Sequence, residues 1–141
     1  MNEVIVMLHV GILILTAGAI LWADVYGSSW LKGKKTTLNP VIVGRLHLAV
    51  TIGLTGMITT GITLFWPLRE YLINENSAFI TKMFFVFALV VNSIVIEQYM
   101  KIATTTAFKD VSLRQKVILF VSGTVSLLSW IGAVLAAFQL F

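Results

Sequence analysis

His9 and His47 are the only histidines in the chain, and each lies inside a long apolar run. An ionisable ring in such surroundings needs a reason to be there, and within a membrane-spanning segment it is a functional-site candidate by default. Neutral imidazole ligates haem iron and carries protons near neutral pH. Lys82, early in the third apolar run, is more unusual still, because an ammonium costs about 2.5 to 3.5 kcal/mol at a helix centre on insertion scales. Its side chain either snorkels outward or serves as an anion or propionate contact, a proton relay, or a ligand in its neutral form.

A second set gathers near His47. Arg45 shares its run, Asp24 closes the first run and Glu97 the third, while Asn92 lies deeper and requires an internal hydrogen-bond partner. Pairing Asp24 or Glu97 with Arg45 would let a carboxylate or amide orient the imidazole; the same groups could equally form a polar network that fixes packing. Thr51, Thr55, Thr59 and Thr63 continue from His47 at spacings of four. Their hydroxyls either bond back to their own helix or line a polar seam.

The elements that must position these groups are the apolar runs themselves: Val4–Ala23, Val41–Trp66, Ala78–Ile96 and Val117–Phe141. At about 19 to 26 residues each, they suffice to cross a hydrocarbon core of roughly 30 Å. The spans predict helices over about 3–25, 40–66, 77–102 and 112–141. This is the pattern of an all-α integral membrane four-helix bundle, up-down-up-down, forming a single transmembrane domain over 1–141. Composition agrees, with 58% hydrophobic residues, 11% charged residues and a mean hydropathy of +0.96. A soluble domain of this length needs far more polar surface.

Local signals mark the ends. Asn39-Pro40 offers a cap followed by proline at the first helical position, Pro67 closes the second helix behind Trp66, Ser77 can cap the third, and Ser112 with Gln115 resembles a capping box. The first run lacks a basic leader and reads as a retained helix. Trp22, Tyr26 and Trp30 at one level, and Trp66 and Tyr71 at the other, fit interfacial anchoring. Gly53, Gly56, Thr60 and Gly61 in the second helix, and Ser122, Ser126, Ser129 and Ala133 in the fourth, make small-residue faces that suit a helix seam or a subunit interface.

Lys32, Lys34, Lys35 and Arg45 cluster around the first connection and Lys101, Lys109, Arg114 and Lys116 around the third; the second has only Arg69, beside Glu70 and Glu75. This asymmetry places connections one and three in the cytoplasm and both termini outside, in a multi-pass protein of a bacterial cytoplasmic membrane. The net charge of +4 is thereby an orientation signal, and nucleic acid is not an expected partner. His9 then lies near the outer level with Lys82, and His47 near the inner level, about 12 Å away along the bilayer normal. Two such histidines cannot ligate one iron within a single chain.

Absence of cysteine excludes disulfides, thiolate metal sites and iron–sulfur ligation. No phosphate loop, zinc-protease motif or nucleophile elbow is present, which leaves hydrolase and kinase readings without support.

The segment LHVGILILTAG, with His9 and Ala17-Gly18, resembles the opening helix of the four-span HemJ-type protoporphyrinogen oxidase and copper-resistance D-type grouping, and Phe79-Ile80-Thr81-Lys82-Met83 looks like its early third-helix lysine. RLHLAVTIGLTG and LFWP are similar to segments of other bacterial four-span membrane proteins. The resemblance implies a helical bundle that binds haem b, with functional roles at His9 and Lys82. At the end of helix one the grouping has basic residues and a histidine, where this chain reads Trp22-Ala23-Asp24-Val25-Tyr26.

Three functions follow as expectations. The first is a haem b membrane protein for electron transfer or a related oxidation, with His9 ligating iron, His47 as a second site and a quinone or other redox partner. The second is a small homo-oligomeric permease or channel in which Lys82, His47, Glu97 and the threonine row line a path for protons or a small ion. The third is a noncatalytic assembly subunit that uses its small-residue faces.

Overall fold

The computed structural model describes residues 2–139. Its helices are α1 (Glu3–Leu31), α2 (Pro40–Phe65), the short α3 (Arg69–Glu75), α4 (Ser77–Thr105) and α5 (Leu113–Phe138), with single 3₁₀ turns at Trp66–Leu68 and Phe108–Asp110. No strand occurs among the described residues. Four of the helices are long and apolar enough to cross a membrane, α2 running on through α3 in that count. The chain is an all-α protein built from four candidate membrane spans.

The caps follow the sequence with one exception. Asn39 Oδ1 accepts the Val41 N–H at 2.9 Å ahead of Pro40. Ser112 and Gln115 form the reciprocal capping box, at 3.3 and 3.4 Å. The third long helix is capped by Asn76, whose Oδ1 accepts from the N–H groups of Ala78 and Phe79. Ser77, the expected cap, is already the first helical residue. Asn76 stays extended at ψ 94°, the backbone state a capping side chain requires.

Helix α1 continues six residues beyond the expected end at residue 25 and stops at Leu31, where Gly33 takes φ 72°. A left-handed residue just past the last turn is a common helix terminator, and glycine adopts it without a Cβ clash. Similarly, α4 reaches Thr105 rather than 102, and the second connection contains α3, which the sequence reading did not anticipate.

Packing divides into two units, one made of the chain through Pro67 with Met100–Val111, the other of Leu68–Tyr99 with the chain from Ser112 onward. In the first, α1 and α2 are antiparallel along a small-residue seam. A Cβ on Gly53 would overlap the Thr16 hydroxyl, one on Gly56 would stand 3.3 Å from Ile12, and one on Gly61 would stand 3.7 Å from His9. These glycines let the two backbones approach closely, which is how helices associate in lipid without a hydrophobic drive. In the second unit α4 and α5 are also antiparallel: Asn92 meets Ser122, and a Cβ on Gly132 would stand 2.5 Å from Phe85. Ser122, Ser129 and Ala133 from the small-residue face of α5 are buried.

The best-buried large side chain lies in the first unit at its basic end. Trp30 is 3% exposed; its Nε1–H donates to the Thr106 carbonyl at 3.0 Å and its ring meets Phe108 edge-on at 5.2 Å. Beside it, the Leu38 N–H donates to the Ala103 carbonyl at 2.8 Å, and Leu38, Ala103 and Val111 are buried. Trp30 is thus a packing residue and not the interfacial anchor expected from the sequence. Crossing the hydrocarbon takes about 20 residues, whereas α1 has 29, so the helix is long enough to carry the Trp30 turn past an apolar slab. Beyond the slab water restores the hydrophobic effect, and a closed apolar core becomes worthwhile. Within the slab, large side chains such as Leu15 and Ile52 stay outward-facing.

Candidate functional site

The strongest arrangement of chemical groups is on the α1–α2 seam. His9, Ile12 and Thr16 fall on one face of α1 and meet Gly61, Gly56 and Gly53 in turn on α2. At the outermost of these positions His9 Nδ1 lies 2.6 Å from Thr60 Oγ1, and Thr60 is 8% exposed. Thr60 Oγ1 also lies 2.8 Å from the Gly56 carbonyl oxygen.

The Thr60 hydroxyl, which also lies 3.2 Å from the Met57 carbonyl oxygen, favours one tautomer. A threonine hydroxyl has one proton and two lone pairs. Directed at the Gly56 carbonyl, that proton makes one hydrogen bond, and the oxygen accepts a second from Nδ1–H. Directed at the ring instead, it leaves two oxygens facing each other at 2.8 Å with no proton between them. The first assignment satisfies both contacts, so Thr60 favours the tautomer of neutral His9 with its proton on Nδ1. An imidazole oriented through one nitrogen by a hydrogen-bond acceptor is the usual arrangement of a metal-ligating histidine.

Along α2, His47 is thirteen residues from Thr60, a displacement of roughly 20 Å at 1.5 Å per residue. Levelling the helix ends predicts about 12 Å instead. The observed register, with Gly53 on Thr16 and Gly56 on Ile12, slides the two histidines further apart. His47 is half-buried, and its backbone carbonyl accepts the Thr51 hydroxyl at 2.9 Å.

The groups expected around His47 are distributed between the units. By the same seam register Asp24 and Arg45 lie at one level, both exposed. In the second unit Asn92 is 7% exposed and finds its partner on α5: Asn92 Nδ2–H donates to the Ser122 carbonyl at 2.9 Å, and the Ser122 hydroxyl returns a bond to Asn92 Oδ1 at 2.8 Å. Glu97 is exposed on α4. Lys82 is half-exposed near the start of α4, and no buried, unsatisfied side-chain nitrogen or oxygen occurs among the described residues.

Thr51, Thr55, Thr59 and Thr63 are exposed, and each donates its hydroxyl to the carbonyl four residues before it, at 2.8 to 3.0 Å. Their protons serve their own helix. Among the described residues no group of three or more His, Asp or Glu side chains is placed to hold a metal ion. A metal at His9 would therefore have to bring most of its own ligands, as haem does.

No family model, curated protein or solved structure matches the chain.

Thr60 is the residue of this site that sequence reasoning missed as a partner of His9. In the sequence it belongs only to a small-residue face. The antiparallel order of two neighbouring spans already sets residue 9 against the end of α2, which would have narrowed the choice to a few positions; rotation about the helix axis made the final selection.

Proposed function

We propose that the chain is a haem b membrane protein of a bacterial cytoplasmic membrane, serving electron transfer or a related oxidation with a quinone or a membrane redox partner. The observation that supports this reading is the oriented imidazole: Thr60 favours the Nδ1–H tautomer of His9, in which Nε2 would be the nitrogen to ligate. Bound haem would supply one-electron chemistry at iron. His9 would hold the iron, and Thr60 would fix the plane of its ring. Resemblance to the HemJ-type grouping at His9 and Lys82 supports the same assignment.

The seam adds a constraint on how these residues work. With Gly53 against Thr16 and Gly56 against Ile12, α1 and α2 are too close below His9 to admit a macrocycle between them. A haem held by His9 would therefore lie outside this seam.

An absorption spectrum of detergent-purified protein from haem-replete cells, before and after dithionite, is the test. A Soret band that is lost in His9→Ala and kept in His47→Ala is the expected result. A colourless preparation would sink the reading.

A further inference from the structure

We propose that the basic end of the first unit is a docking surface for the headgroups of anionic phospholipids, built on the water-facing core around Trp30. The charge distribution is the first argument. Segments 24–45 and 100–111 contain Lys32, Lys34, Lys35, Arg45, Lys101 and Lys109 against Asp24 and Asp110, six cations to two anions, a net of +4. The complete chain, with ten cations and six anions, also sums to +4. The remainder of the chain, with four cations and four anions, sums to zero.

The second argument is rigidity. These two segments are far apart in sequence, yet the Leu38–Ala103 backbone bond, the Trp30–Thr106 bond and the Trp30–Phe108 ring contact join them into one platform. Lys35 stands over the Tyr26 ring with Nζ 4.5 Å from its centroid, while Tyr26 Oη accepts the Asn39 N–H at 3.0 Å. The ring that seats this ammonium is itself fixed. A lysine held in place loses less rotamer entropy on meeting a phosphate than a free one.

Position is the third. The platform begins where about 20 apolar residues of α1 have crossed the hydrocarbon, so its lysines stand at the headgroup layer. All six cations are exposed, and exposed Leu31 and Val41 lie in the same segments, available to the upper acyl chains. A polybasic cluster immediately beside a membrane span is attracted to anionic lipid within a screening length of the surface.

The experiment uses the full chain in nanodiscs of equimolar phosphatidylcholine and phosphatidylglycerol, with native mass spectrometry counting the lipids that stay bound as detergent strips the rest. Retention enriched in phosphatidylglycerol is expected, weakening as salt rises. Lys32→Gln, Lys35→Gln and Lys109→Gln should each reduce that preference, by up to about fivefold per charge; Arg69→Gln, outside the platform, should leave it unchanged. Lys35→Arg, which keeps both the charge and the ring contact, should restore it. Equal retention of the two lipids overturns the proposal, as does a preference that survives neutralisation of all three lysines. Equal retention combined with lysine-dependent capture of polyglutamate would overturn it in favour of an acidic protein partner.

Discussion

His9 Nδ1 and Thr60 Oγ1, fifty-one residues apart in sequence, lie 2.6 Å apart across the α1–α2 seam. Because Thr60 already directs its proton to Gly56, the contact makes the hydroxyl an acceptor and assigns the imidazole proton to Nδ1. Nitrogen-15 NMR of histidine-labelled protein reads this directly, without any bound cofactor. The Nδ1–H form should dominate for His9. Thr60→Val should shift the tautomer ratio about fivefold toward Nε2–H, the equivalent of one hydrogen bond of about 1 kcal/mol, and Thr60→Ser should restore it. A spectrum unchanged in Thr60→Val would show that Thr60 does not set the tautomer.

Gly53 tests the seam that carries the pair. A methyl at this position would collide with the Thr16 hydroxyl, whereas one on Gly11 or Gly18 would meet nothing within 4 Å. Gly53→Ala should therefore destabilise the protein by about 1 to 3 kcal/mol, and Gly11→Ala should be neutral or mildly stabilising, as alanine is the better helix former. Adding Thr16→Ala to Gly53→Ala should recover much of the loss. Thermal unfolding in one detergent ranks the variants; equal melting of Gly53→Ala and Gly11→Ala would contradict the close approach.

Much of the scaffold was legible in the sequence because lipid imposes simple rules. Four apolar runs of sufficient length, Asn39-Pro40, and the Ser112–Gln115 box each specify a local outcome that tertiary context did not override. The extension of α1 to Leu31 was not legible, since Ser28, Ser29 and Trp30 look like the polar and aromatic edge of a span. Ser28 and Ser29 instead return their hydroxyls to the carbonyls of Val25 and Tyr26, and Trp30 finds its core in a connection some seventy-six residues away. Likewise, the spacing of Thr51 to Thr63 announces one face of a helix without saying which way it looks. Thr60, immediately beside that row, is the threonine that turns inward to His9. Sequence periodicity gives the stripe; only packing gives its rotation.

Asn92 and Ser122 form the reciprocal pair of the second unit, each giving and accepting one bond. In lipid an interhelical hydrogen bond contributes modestly, averaging about 0.6 kcal/mol and reaching about 1.7. A double-mutant cycle with Asn92→Ala and Ser122→Ala should give a coupling in that range. The bond from Asn92 to the Ser122 carbonyl survives loss of the hydroxyl, so Asn92→Ala should cost more than Ser122→Ala. The reverse order, measured by unfolding in mixed micelles, would mean that the backbone contact carries little.

Trp30 should be the most sensitive residue outside the apolar slab, for a reason the spans do not share. Its ring is buried on the stretch of α1 in excess of a span's length, so its truncation should expose apolar surface to water, whereas truncating an outward-facing residue such as Leu15 should only exchange side chain for lipid. Trp30→Ala should cost about 3 to 5 kcal/mol. Trp30→Phe keeps an aromatic ring against Phe108 but deprives the Thr106 carbonyl of its donor, and should cost about 1 to 3 kcal/mol. The loss should be local first, because the Leu38–Ala103 bond ties the first connection to the third through the same core. Hydrogen exchange at Leu38 and protease cleavage within 32–39 should therefore accelerate in Trp30→Phe before the apolar spans respond. If the Leu38 amide keeps its wild-type exchange rate in that variant, the two connections are held together by something other than the tryptophan.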